Sequence, residues 1–142
     1  MKHSVHESAI SALFQKYSEQ GKLVLTNPGE EKNSPWKYEF IDIIVLDKEK
    51  KDEPILIKIE TKDTIMSKES IDDWKKYDKV YPKWNMVVPF DSVSEAYRIT
   101  EIYQLKHCKI TFWLNTTSET FSFFGLPELN PDELINAKIR LN

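Results

Sequence analysis

The sequence predicts a mixed α/β fold, and three patterns in it do so. Stretches with helical spacing alternate with short runs of β-branched and aromatic residues. A charged run with no means of burying itself separates two of those short runs as a hairpin would. A β-α-β-α-β succession follows, and such a succession calls for a sheet covered by helices.

The elements follow in order. Residues 4–20 are the first predicted helix, because Val5, Ala9, Ala12, Leu13 and Tyr17 repeat at helical spacing and Gly21 supplies a stop. Residues 22–26 are a short apolar strand, closed by Asn27, Pro28 and Gly29, where Pro fixes φ and Gly permits positive φ. A polar loop runs to Ser34. Residues 36–46 are predicted as one long strand, rich in aromatic and β-branched side chains, and the charged residues 47–54 as its hairpin loop. Over residues 55–62, Ile55, Ile57 and Ile59 alternate with Lys58, Glu60 and Lys62, which predicts the partner strand of an antiparallel ribbon. Residues 67–81 form a second helix with Ile71, Trp74, Tyr77 and Tyr81 as its apolar stripe, ended by Pro82. Residues 85–89 are a buried strand. Residues 92–106 are a third helix, opened by Ser92 with Glu95 three positions later, the spacing of a capping box. Residues 109–114 and 120–124 are further strands, and residues 132–141 a closing helix.

A chain of 142 residues is the size of one domain, so residues 1–142 are expected to form a single one; 40% hydrophobic content with only 3 Gly gives it material for a packed core. No stretch approaches the roughly 20 apolar residues a membrane helix needs and the first residues carry no leader-type apolar run, so a cytoplasmic protein with no membrane partner is expected. The lone Cys108 cannot form an internal disulfide and reads as an inert, half-buried thiol. A net charge of −3 argues against coating nucleic acid by bulk electrostatics, which leaves local contacts.

Asp42 is the sharpest anomaly, a carboxylate inside an otherwise apolar run from Phe40 to Leu46. Left unpaired there it would cost several kcal/mol, so it needs a partner or a metal. A structural reading makes it a buried salt bridge or a hydrogen-bonded turn acid. Glu60 and Lys62 stand two apart on the next predicted strand and would emerge on one face about 7 Å apart. A plain solvated face, Lys58–Glu60–Lys62, gives the same alternation. The combination carries more weight than either part: Asp42 and Glu60 lie on consecutive strands, adjacent strands are about 4.8 Å apart, and two carboxylates so placed can hold a hard divalent cation through oxygen.

A first helix carrying His6-Glu7, a strand around Ile41-Asp42 and a following Ile59-Glu60-Thr61-Lys62 together resemble the ordered signature of the PD-(D/E)XK nuclease superfamily, over about residues 4–90. The resemblance implies a restriction-endonuclease-like three-layer α/β fold, a mixed central sheet with helices on both faces. By it, Asp42 matches the metal-binding aspartate, Glu60 the second acid, Lys62 the lysine and Glu7 the first-helix acid of some members, with the Thr61 carbonyl as a further ligand. Ile41 stands where the family name has proline, and Asp73 where some branches place glutamine before a later tyrosine, so the subfamily stays unassigned.

Glu7 has a competing role, since Ser4-Val5-His6-Glu7 is also a capping box. His3 and His6 read as an exposed pair near a fraying terminus. Trp74, Tyr77 and Tyr81 offer faces on which bases can stack but, at helical spacing, are expected in the core. Lys68, Lys75, Lys76 and Lys79 form a lysine face, ordinarily solvated, that follows the predicted site and is the candidate phosphate contact.

The function implied by the resemblance is Mg²⁺-dependent hydrolysis of DNA phosphodiesters, with Mn²⁺ as a substitute cation: Asp42 and Glu60 hold the metal, and a desolvated Lys62 orients or deprotonates the attacking water. Two rivals stand beside it. One is a domain of the same fold without turnover, serving as a DNA-docking or assembly subunit; the other is an unrelated α/β interaction protein. A homodimer needing roughly 800 Å² per partner suits a cut in both strands.

Overall fold

The computed structural model describes residues 4–26, 41–46, 53–117 and 120–129. The chain is mixed α/β, and its described elements appear in the predicted order. They group into two compact units, Met1–Ile59 and Glu60–Asn142.

In the first unit, helix α1 spans Val5–Glu19 and is capped by Ser4, whose Oγ accepts the Glu7 N–H at 3.1 Å. Its buried face is Ala9, Ile10, Leu13 and Tyr17, a helical repeat. The helix stops because Gly21 adopts φ +84°, which lets the N–H of Gly21 reach the Ser18 carbonyl and that of Lys22 the Tyr17 carbonyl. Strands β1 (Leu23–Thr26), β2 (Ile43–Leu46) and β3 (Ile55–Ile59) then pair antiparallel, Thr26 opposite Ile43 and Ile43 opposite Ile57. The predicted ribbon is therefore present, with β1 added to it. Ile43, Ile44, Ile55, Leu56 and Ile57 are all buried, so the isoleucine face predicted for β3 is joined in the core by Leu56 from the other face.

In the second unit, helix α2 covers Lys68–Val80 between Ser67 and Tyr81, and buries Ser70, Trp74 and Tyr77. Strand β4 (Trp84–Pro89), a short 3₁₀ turn (Phe90–Ser92), helix α3 (Val93–Ile102) and strand β5 (Cys108–Thr117) form the β-α-β unit, with β4 and β5 parallel and Trp84 opposite Cys108. Strand β6 (Thr120–Phe124) returns antiparallel to β5, so the strands of this unit are mixed in direction. Trp74, Tyr77, Tyr81, Trp84, Met86, Val88, Ile99 and Trp113 are buried, and the Tyr77 and Trp84 rings meet edge to face at 5.5 Å. Tyr77 and Tyr81 are thus core residues, as the stripe predicts.

Three expectations need correction. Within the described part of the expected long strand, β2 begins only at Ile43, and Asp42 sits in a bend before it. Strand β3 ends at Ile59 rather than at Lys62, because the Thr61 carbonyl accepts the N–H groups of Thr64 and Ile65 and turns the chain over residues 62–66. Helix α3 ends at Ile102, where Gln104 takes φ +54° without a glycine to announce it, and Ser92 makes no side-chain cap. The turn and loop expected over residues 27–34, most of the loop at 47–54 and the helix at 132–141 lie outside the described residues. Among those described, no helix is long and apolar enough to cross a membrane.

Candidate functional site

The two predicted acids are each built into their own unit. Asp42, 3% exposed, sits where the ladder between β2 and β3 runs out, and its Oδ2 accepts the Ile59 N–H at 2.7 Å. The carboxylate thereby takes over a backbone donor at the end of the strand pairing. Two basic side chains face it: His6 Nε2 lies 3.2 Å from Oδ1 and Lys58 Nζ 3.6 Å from Oδ2. Burying this carboxylate is therefore compensated by a charge-assisted network, the arrangement that burial of an ion demands.

His6, read from the sequence as part of an exposed pair, is the α1 residue that reaches Asp42. Glu7, one position on, is exposed and lines a groove with Ile10, Phe14 and Thr26. Successive residues on a helix point about 100° apart, so α1 sends His6 and Glu7 to different surroundings. Ser4 confirms half of the predicted capping box by accepting the Glu7 N–H. The sequence signal for Lys58 is its place in the alternation Lys58–Glu60–Lys62, where attention falls on the latter two.

In the second unit, Glu60 is 1% exposed and pinned at both ends. Its backbone N–H donates to the Val87 carbonyl of β4 at 2.9 Å. Its Oε1 accepts the Thr64 hydroxyl at 2.7 Å and the Ser70 hydroxyl at 2.9 Å, and its Oε2 the Trp74 indole N–H at 2.7 Å. Trp74 is thus a core residue with a polar duty, which its helical spacing does not reveal. The Thr61 carbonyl, predicted as a ligand, closes the turn to Thr64 and Ile65.

Lys62 is 80% exposed, and its Nζ lies 3.9 Å from the Asp91 carboxylate. It is solvated, not desolvated, since it starts the turn instead of continuing a strand, and it does not share the environment of Glu60. Lys68, Lys75, Lys76 and Lys79 are all exposed on α2, and Lys75 lies over the Tyr103 ring at 4.3 Å from its centre. Among the described residues, no three His, Cys, Asp or Glu side chains gather as a metal-binding group. Burial, seconded by the nearby Asp78, raises Cys108 above the usual thiol range, in keeping with an inert thiol.

No family profile and no curated protein sequence matches the chain. Among solved structures it is similar to the SPO1766 protein of unknown function from Silicibacter pomeroyi, at a TM-score of 0.52 and 11% identity over 99% of this chain and 91% of that one. Likeness at that identity concerns the fold alone.

Proposed function

We propose that the chain is a cytoplasmic, restriction-endonuclease-like domain of the PD-(D/E)XK type that hydrolyses DNA phosphodiesters with a divalent cation. One observation supports the reading above others: Asp42 and Glu60, the two acids the sequence sets apart, are 3% and 1% exposed, and each is held by dedicated donors. Both offer carboxylate oxygen, the donor a hard cation takes, and a cation would have to displace contacts each already makes, those of Asp42 with the Ile59 N–H, His6 and Lys58 and those of Glu60 with Thr64, Ser70 and Trp74. Asp42 and Glu60 would hold Mg²⁺ or Mn²⁺, which when bound supplies polarisation of a phosphoryl oxygen and a more acidic water.

The remaining duties fall to the chain's own residues. Lys62, 80% exposed in the turn after Glu60 and facing Asp91, would have to leave that contact to offset charge developing on the phosphoryl oxygens and to orient the attacking water. The lysines of α2 meet DNA phosphates and set its register without reading sequence.

A second reading, a domain of the same type without turnover, is favoured by the two basic side chains that face Asp42. A carboxylate already facing His6 and Lys58 is compensated without a metal. Incubation of the full chain with linear, nicked and branched DNA in Mg²⁺ or Mn²⁺ separates the two. The nuclease reading expects cleavage by the wild type and a loss of roughly 100-fold or more in Lys62→Ala. Equal inertness of wild type and variant, with cation bound, leaves the second reading.

A further inference from the structure

Two tyrosines of the second unit are exposed, and each has a lysine beside it. Tyr103, the residue that closes α3, is 41% exposed, and the Lys75 ammonium of α2 lies 4.3 Å from the centre of its ring. Tyr97 is 56% exposed and lines an open groove with Thr100, Glu101, Gln104, Leu105 and Lys106. A helix turns about 100° per residue, so the two rings flank Thr100 by about 60° on either side.

An aromatic ring held at the surface keeps a flat apolar face wet, and another ring stacked on it would cover that face. A nucleobase is such a ring, and an ammonium beside the tyrosine suits the phosphate that comes with it. The acid among these lysines is directed into the protein. Asp78 Oδ1 and Oδ2 accept the Trp84 indole N–H and the backbone N–H groups of Lys106 and His107. The same bonds fix the Lys106 backbone beside the last turn of α2. Glu101 also lines the groove and would repel a phosphate there, so the base and not the backbone has to enter it.

We propose that Tyr97 and Tyr103, with Lys75 and Lys106, bind a single strand of DNA, its bases stacked on the rings and its phosphates at the ammonium groups. A duplex keeps its bases stacked on one another and offers no free base face, so the surface selects single-stranded segments. The inference rests on the proposed contact with DNA and deepens it, and it needs neither a cation nor turnover.

The test uses the full chain in EDTA and a fluorescent oligothymidylate of about 20 nucleotides, with binding followed by anisotropy and compared with a duplex and an oligouridylate of the same length. The wild type should bind the single DNA strand more tightly than the duplex. Tyr97→Leu and Tyr103→Leu stay apolar and lose the ring; each should weaken binding by about 5-fold or more, with Tyr103→Phe within about 2-fold of wild type. The Tyr103 ring proton resonances should move upfield as the strand is added, the mark of a base lying over the ring. A duplex bound as tightly as the single strand, or wild-type affinity in both leucine variants, overturns the proposal, and tighter binding of the oligouridylate overturns its assignment to DNA. If Tyr103→Leu does not fold, Tyr97→Leu, at the more exposed position, decides the matter. With no cation present cleavage plays no part, so a wild type that cleaves nothing in Mg²⁺ overturns the nuclease reading alone, and one that binds no strand in EDTA overturns this inference.

Discussion

Asp42 combines deep burial, a backbone donor and two basic neighbours, and each part has a separable consequence. Asp42→Ala strands the Ile59 N–H and removes the carboxylate that faces Lys58, itself 13% exposed. Breaking a buried pair from one side costs about 3 kcal/mol or more, which urea unfolding should register, whereas Asp42→Asn keeps an acceptor for Ile59 and should cost less. Lys62→Ala is the contrast. The ammonium and the Asp91 carboxylate are 80% and 65% exposed, so stability should stay within about 0.5 kcal/mol of wild type, and any loss of turnover is then a loss of chemistry. Cys108 gives the pH dependence. Its thiol is raised in the folded state, so above the ordinary thiol range near pH 8.5 the unfolded chain loses a proton that the folded one keeps. Stability should therefore fall as pH rises beyond that point, by at most about 1.4 kcal/mol per pH unit, and Cys108→Ala should abolish that component in urea titrations. The importance of Asp42 was legible in the sequence because an acid in an apolar run always needs an explanation. His6 and Lys58 were not, since a partner across a fold leaves no mark in local spacing.

The strongly periodic segments form the helices their spacing predicts, α1 over Val5–Glu19 and α2 over Lys68–Val80. α2 was predicted to within a residue at each end because Ser67, the aromatic stripe and Pro82 agree with one another. α3 was overextended because the positive φ that closes it falls on Gln104. The extension of β3 to Lys62 failed for a related reason: alternation continues on paper through Glu60 and Lys62, but Thr61 and Thr64 bond to each other's backbone and turn the chain. Gly21 shows the opposite case, a stop that was announced. Gly21→Ala should lower stability by about 1 kcal/mol, since φ +84° is strained for any residue with a Cβ. Asp78 has a larger duty than its place in a lysine-rich helix suggests. It accepts the Trp84 indole N–H at 3.1 Å and the backbone N–H groups of Lys106 and His107 at 2.9 and 2.8 Å, joining the end of α2 to the approaches of β4 and β5. Asp78→Ala removes the acceptor of all three donors, of which the Lys106 and His107 N–H groups are exposed and can turn to water, and should cost about 1 kcal/mol, measured as a shift of the urea midpoint.

For the whole molecule, the order of periodic segments points to the α/β class, the lack of a long apolar run points away from a membrane helix, and composition leaves the partner open. On the proposed reading, a net charge of −3 means that DNA would be met through local contacts. If Lys68, Lys75, Lys76 and Lys79 each neutralise a phosphate, the log of the DNA association constant should fall against log salt with a slope of about −3.6, and each alanine substitution should flatten it by about 0.9. The measurement that reaches the central claim most directly is Mn²⁺ binding to wild type, Asp42→Asn and Glu60→Gln. The proposed nuclease reading predicts saturable binding by the wild type and marked weakening in each single variant. Unchanged binding in both single variants, or no binding by the wild type, would contradict the account.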